Sequence, residues 1–329
     1  MSLSAAVVGA RRVRQGTGEF VARELQRRGV RVEAIVGTTP VTLADAREEL
    51  AARHGIRARG YLSLPELLAA ERVDLVAICT PMEAHREAVL AALAAGCHVL
   101  CEKPLLWDPG AEEDDAAEDA LGAAARELGE AARAAGKLLA LNTQWPATLR
   151  AFEELHPGAL QEPLERFEMH LGPTRTGAAA VLDSGSHPLS MLHALVGPGE
   201  LRAVEVRYEG EGLERLRCSF DYEHRRGRVA VCMRLSRCPA PPRPAGYALN
   251  GRAVEREVEL PGYRILFRSG ARRAEVGDPL ALLVEDYLAR VARGEETQVE
   301  ELVAGATQLH RLARAARSAE HALACEERS

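Results

Sequence analysis

Lys103 closes a short apolar run, His98-Val99-Leu100-Cys101, in the segment Glu102-Lys103-Pro104. A lysine at the carboxyl end of a parallel strand points into the crevice where open α/β sheets bind ligands. Its ammonium can bond a substrate oxygen there and stabilise negative charge that develops on it. Further along, Asp183 and His187 are four residues apart, which on a helix puts both side chains on one face, with about 5 to 6 Å between Cβ atoms. When hydride leaves a carbinol carbon the hydroxyl proton must leave too, and an imidazole that titrates near neutral pH is suited to take it. Asp183 then orients a neighbour or the substrate. Taken alone, such a pair is more often a surface pair; the Lys103 turn upstream reverses that reading toward catalysis.

These side chains need a frame. From Ala5 to Asn142, β-rich runs alternate with helical ones, the pattern of βαβ units on a parallel sheet. The expected strands are 5–8, 32–36, 59–61, 75–79, 98–101 and 138–142, mostly continuous apolar runs, as strands covered on both faces should be. The expected helices are 19–28, 44–54, 64–70 and 83–95, with Gly29, Gly55 and Gly96 as terminating glycines. Residues 110–136 read as a further, solvated helix. After residue 150 the runs 201–208, 213–222, 228–235 and 252–260 predict a mostly antiparallel sheet. The proline cluster at 239–244 belongs in a loop or at a sheet edge, and helices over 279–293 and 300–321 finish the chain. The fold class is therefore α/β: an N-terminal doubly wound parallel sheet of the Rossmann type over residues 1–145, then an α+β domain with an open sheet over 146–329.

The first expected strand ends at Gly9, where a glycine-bearing turn into a helix would receive a dinucleotide pyrophosphate. The spacing G-x-G-x-x-G would need glycines at 11 and 14, and both positions are arginine. Two readings stay open. In one, Gly16 and Gly18 bring the backbone to the phosphates while Arg11, Arg12 or Arg14 add charge; in the other, the stretch is a basic surface loop. After the second strand, Gly37-Thr38-Thr39 lacks the carboxylate that would bond the ribose hydroxyls. Thr38 and Thr39 leave room for a 2′-phosphate, which favours NADP over NAD.

Two turns carry a more specific signal. Cys79-Thr80-Pro81-Met82-Glu83-Ala84-His85 and, after one helix, Cys101-Glu102-Lys103-Pro104 together resemble the T-P-x-x-x-H and E-K-P turns of the Gfo/Idh/MocA family of oxidoreductases. The resemblance implies a Rossmann domain in which Thr80, Pro81, His85 and Glu102 line the nicotinamide half of the cofactor, Lys103 reaches the substrate, and the peptide before Pro104 is cis. His85 rests on that match alone, since a histidine at a helix start often only packs or caps. A second segment, Asp183-Ser184-Gly185-Ser186-His187-Pro188-Leu189-Ser190, resembles the D-x-G-x-H-x-x-D of the second domain, with Ser190 in place of the last aspartate. Asn142-Thr143-Gln144-Trp145 stands where relatives often have Asn-x-Arg and an aromatic residue. Asn142 and Gln144 are thus candidate substrate contacts, and Trp145 is either another or a packing residue.

The function implied is hydride transfer between a nicotinamide and a small polar substrate: a sugar, a cyclitol or a related carbonyl or imine. The alternative is a non-catalytic protein that kept the fold, for which the arginines at 11 and 14 speak. A homodimer or homotetramer is expected, packed through the open sheet. Composition excludes other classes. A net charge of −6 with 4% aromatic residues argues against a nucleic-acid surface. The longest apolar runs are far shorter than a membrane span, and no secretory signal pattern opens the chain, so a cytoplasmic protein is expected. Seven cysteines without a C-x-x-C pair read as reduced thiols, and no zinc, P-loop or G-x-S-x-G motif is present; no metal is expected.

Overall fold

The computed structural model describes residues 3–10, 16–210, 212–260 and 264–326. They form two compact units, neither continuous in sequence: Met1–Trp107 with Ala123–Asn142 and Leu280–Leu302, and Asp108–Gly122 with Thr143–Pro279 and Val303–Ser329.

The first unit contains six parallel strands in the order β3-β2-β1-β4-β5-β6. They are β1 Ser4–Val8, β2 Arg31–Val36, β3 Arg59–Tyr61, β4 Leu75–Ile78, β5 His98–Cys101 and β6 Leu139–Leu141. Every residue of β1 and β4 is buried, as expected of central strands covered on both faces. The crossover helices are α1 Gly18–Arg27, α2 Pro40–His54, α3 Leu64–Ala70 and α4 His85–Ala94, the last preceded by a 3-10 turn at Met82–Ala84. α5 spans Ala117–Ala134 and follows a 3-10 turn at Ala111–Glu113, so the acidic residues 112–115 precede the helix that the sequence placed them in. Because β1 lies between β2 and β4, the chain reverses its direction of winding there. That switch point is where a doubly wound sheet opens a crevice at its strand ends. One core cluster joins Val21 and Leu25 of α1 to Leu280, Val284 and Tyr287 of α9, Pro279–Arg293; a late helix covers an early sheet.

The second unit contains eight strands: β7 Arg166–Leu171, β8 Glu200–Tyr208, β9 Arg215–His224, β10 Gly227–Ser236, β11 Ala245–Leu249, β12 Arg252–Glu259, β13 Arg264–Ser269 and β14 Arg272–Glu275. Their order is β14-β13-β12-β11-β7-β10-β9-β8. All neighbours are antiparallel except β7 and β10. Alternation along β9 explains the layer: Leu216, Cys218, Phe220 and Tyr222 are buried, while Arg215, Arg217 and Glu223 are exposed. The proline cluster is a loop between β10 and β11, not a sheet edge. Helices α6 Leu149–Leu155, α7 Gly177–Ser184, α8 Ser186–Val196 and most of α10 Val299–Glu326 complete the unit. All seven cysteines are free. Among the described residues no helix is long and apolar enough to cross a membrane.

Candidate active site

Gly9 ends β1 with φ +83°, a conformation that side-chain-bearing residues rarely adopt, and a Cβ there would come within 2.6 Å of the Cys79 carbonyl oxygen. A Cβ on Gly18, the first residue of α1, would meet the Gly9 oxygen at 2.3 Å. Gly9 and Gly18 therefore fill two roles that the spacing rule assigns to glycines closer together: the tight turn and the close seating of helix on strand. Gly16 is half-buried just before α1. Arg11, named above as a cofactor contact, lies outside the described residues with Arg12 and Arg14.

Thr17 is the N-cap residue of α1, yet its side chain makes no cap bond. Its hydroxyl donates instead to the Glu102 carboxylate, which also accepts from the Asn142 amide, while the Lys103 N–H reaches the second oxygen at 3.3 Å. One carboxylate thus joins the end of the segment after β1 to the starts of those after β5 and β6. Asn142 is only 4% exposed, so it braces Glu102 rather than standing open to substrate as expected. Burial first, then the charge of Glu102, pushes the Cys79 thiol well above its ordinary value, and burial does the same for Cys101. Both are neutral thiols without nucleophilic character.

His85 opens α4 and is 1% exposed. Its Nδ1 lies 2.9 Å from the Pro104 carbonyl oxygen and its Nε2 2.9 Å from that of Thr80. The expected cofactor contact is therefore replaced by an indirect part: the ring fastens the Thr80-Pro81 turn to the turn that carries Lys103. The Lys103–Pro104 peptide is cis, as the resemblance implies. Thr80 Oγ1 is buried without a hydrogen-bond partner, at the strand end where a ligand polar group would satisfy it. Thr38 and Thr39 are exposed after β2, and Thr39 caps α2 by accepting from Thr42 N at 3.2 Å. Glycines at both ends of the β1–α1 turn, an orphaned hydroxyl and a sheet switch point together fit a nicotinamide dinucleotide.

In the second unit, Asp183 and His187 are half-buried. The single helix expected to carry them is two: α7 ends at Ser184 and α8 starts at Ser186. Pro188 causes the break, since it cannot donate to the carbonyl four residues back and its ring crowds that turn. Gly185 keeps right-handed helical dihedrals, φ −63° and ψ −30°, so the two residues remain on consecutive turns of one path. A Cβ on Gly185 would come within 2.8 Å of Leu309, which ties the joint to α10. α7 starts at Gly177, φ +61°, and the Ala178 N–H donates to the carboxylate of buried Glu320 from α10. Ser190 donates to the His187 carbonyl at 2.8 Å, a bond within the helix. Gln144 precedes a 3-10 turn, Trp145–Thr148. Trp145 is buried among rings, 6.5 Å from Phe267, 6.1 Å from Tyr247 and 6.3 Å from His187 between centroids.

Arg256 escaped the sequence reading. It lies on β12 with its guanidinium carbon 5.9 Å from the Trp145 ring centroid. Its one available signal was position, a charged residue between Val254 and Val258 on the inward register of a strand.

Comparison with known proteins agrees with this frame. Residues 3–142 match the model of the Gfo/Idh/MocA oxidoreductase family, NAD-binding Rossmann fold. Similar curated proteins include 1,5-anhydro-D-fructose reductase of Ensifer adhaerens, 29% identical over 60% of this chain and 59% of the relative. Inositol 2-dehydrogenase of Streptomyces avermitilis is 32% identical over 54% of this chain and 51% of the relative. An uncharacterized oxidoreductase of Schizosaccharomyces pombe is 38% identical, with 36% and 29% covered. The matched stretches thus span less than two thirds of each of these relatives. The structure of UDP-N-acetylglucosamine 3-dehydrogenase from Acidithiobacillus ferrooxidans superposes with a TM-score of 0.71 at 19% identity, covering 97% of this chain and 99% of that one. Myo-inositol 2-dehydrogenase from Lactobacillus plantarum gives 0.70 at 14% identity, with 98% of each chain covered. These likenesses extend the shared fold over both units. Over residues 3–142, with the two turns at the ends of β4 and β5, the chain is similar to the NAD-binding Rossmann domain of the Gfo/Idh/MocA oxidoreductase family.

Proposed function

We propose that the protein is an NAD(P)-dependent dehydrogenase or reductase acting on a small hydroxylated substrate, a sugar or cyclitol, or the related carbonyl. The observation that carries this reading is the set of turns at the β1/β4 switch point: side-chain-free Gly9 and Gly18, partnerless Thr80 Oγ1, and Glu102 bracing the segment that bears Lys103. The names of the curated relatives support it. Gly9, Gly16, Gly18 and Arg11 would hold the pyrophosphate, Thr38 and Thr39 the adenosine ribose, and Thr80, Pro81 and Glu102 the nicotinamide half. When bound, the cofactor supplies the hydride acceptor or donor. Lys103 bonds the oxygen on the carbon that changes oxidation state and stabilises its developing charge. His187 takes the hydroxyl proton in oxidation and returns it in reduction, with Asp183 orienting it or the substrate. Gln144 contributes a substrate hydrogen bond. NADP is the favoured cofactor, because no carboxylate follows β2.

Titration of the purified protein with NADPH and NADH, followed by a screen of polyols and sugars, tests the reading. Saturable binding of at least one reduced cofactor is expected, tighter for NADPH. Lys103→Ala should abolish turnover and leave cofactor affinity within a few-fold. Absence of binding to both cofactors overturns the reading; equal or tighter NADH binding overturns only the preference. The open face of the second unit's sheet is the surface we assign to a homodimer or homotetramer, and a monomeric mass by light scattering at micromolar concentration counts against it.

A further inference from the structure

In the first unit α1, α2 and α3 each follow a hydroxyl residue, and two of the three use it as a cap. Thr39 before α2 and Ser63 before α3 are extended, and their side chains accept from the Thr42 and Glu66 N–H groups. Thr17 before α1 has φ −97° and ψ −11° and makes no such bond. Its hydroxyl reaches 85 positions along the chain to donate to Glu102 Oε1, and it also neighbours the Cys79 thiol. Asn142 Nδ2 donates to the same carboxylate oxygen. The other oxygen, Oε2, lies 3.3 Å from the Lys103 backbone nitrogen and accepts its N–H.

Donors on Oε1 fix the rotation of the carboxylate about its Cγ–Cδ bond, which keeps Oε2 against the Lys103 N–H and holds the backbone that aims Lys103. Thr17 gives up the cap bond of α1 to supply one of those donors. We propose that Thr17 is a positioning residue for Lys103: acting through Glu102, it holds the Lys103 turn and links it to the end of the β1–α1 segment. A reacting group displaced by about 1 Å can lose about a hundred-fold in rate; removal of one donor among several displaces it less. That Lys103 acts on a substrate rests on the hydride-transfer reading; the linkage does not.

Thr17→Val, which keeps the shape and removes the donor, and Thr17→Ser, which keeps the donor, test this in the full-length protein. Two readouts are taken: hydrogen exchange of the Lys103 amide, by mass spectrometry with fragmentation to single residues, and kcat, KM and NADPH affinity on the substrate found by the screen above. In Thr17→Val the Lys103 amide should exchange about five-fold or more faster, and kcat should fall about ten-fold while KM and the NADPH Kd stay within about three-fold. Thr17→Ser should stay within about three-fold of the unaltered chain in every readout. Circular dichroism establishes that both variants are folded; if the valine variant is not, Thr17→Ala carries the comparison. Unchanged exchange at Lys103 in Thr17→Val overturns the proposal, and so does an unchanged kcat. A serine variant impaired as much as the valine one also overturns it, because the hydroxyl is then not what matters. Failure of the hydride-transfer reading looks different: an unaltered chain that binds neither cofactor, with Lys103 exchange still governed by the Thr17 hydroxyl, keeps the linkage and removes the reaction. Conversely, turnover that is the same in the unaltered chain and in Thr17→Val removes the linkage and leaves the reading.

Discussion

His85 and His187 each stand within the first two residues of a helix, in segments that the sequence marks alike as site motifs, and the fold treats them in opposite ways. His85 is enclosed, with both ring nitrogens against backbone carbonyls of the turns it joins. His187 is half-buried beside Trp145 and follows a break in its helix path. An imidazole whose ring nitrogens both face backbone carbonyls holds shape, whereas a half-buried one at a helix start is the better candidate to meet a ligand. A motif histidine therefore has to be read through its burial before it is assigned chemistry.

The contrast breaks most sharply at His187. Replacing it with Asn should lower kcat about 10²- to 10⁴-fold, the usual loss for a general acid–base group, with thermal melting little changed. A turnover within a few-fold of the parent would make the two histidines alike. Next in size is His85→Leu, which leaves an enclosed carbonyl without its donor and should cost about 1 to 3 kcal/mol of stability. In the folded fraction KM for the cofactor should rise more than kcat falls, and the conservative Gln should recover part of the loss through its amide donor. Undiminished denaturant stability in His85→Leu would refute the bracing role. The smallest effect lies at the other end of the same sheet, away from the chemistry. Asp74 accepts from the Ser4 N–H and hydroxyl, both at 2.8 Å. The Ser4 backbone hydrogen bond, partly opposed by desolvation, holds its carboxyl below the ordinary value. A lowered folded pKa stabilises above the unfolded value and is lost as pH falls through the folded one. Asp74→Asn should therefore cost about 0.5 to 1 kcal/mol at neutral pH, a difference that shrinks below about pH 4. A constant difference from pH 7 to 3 would show that the charge is irrelevant, and kcat should not respond at any pH.

Much of the first unit was legible because its information is local. Strands β1, β2, β4 and β5 are largely apolar runs, the first two closed by Gly9 and Gly37, and their alternation with helices admits few topologies. The second unit was half legible. Its longer strands β8, β9, β10 and β12 alternate clearly, whereas β7, β11, β13 and β14 are short and mix charge or small residues with apolar ones. They are strands because neighbours distant in sequence pair with them; β11 bridges β7 and β12. The break at Gly185 was within reach, since Pro188 announces it, but four-residue spacing suggested an unbroken helix. The brace of Glu102 by Thr17 and Asn142 was not, since those partners are separated by 85 and 40 positions.

From the sequence by itself came the residue types able to do the chemistry, the parallel order of the first sheet, and the two turns that resemble those of the Gfo/Idh/MocA family. These follow from side-chain chemistry and from periodicities of 2 and 3.6, which are properties of neighbours along the chain. Tertiary structure decided which of those residues keeps a polar atom in reach and which is spent on the frame: His85 and Asn142 went inward, Gly18 went against Gly9, and Arg256 came to Trp145. Burial and hydrogen bonding are set by whatever the folded chain brings alongside, and no local pattern carries that.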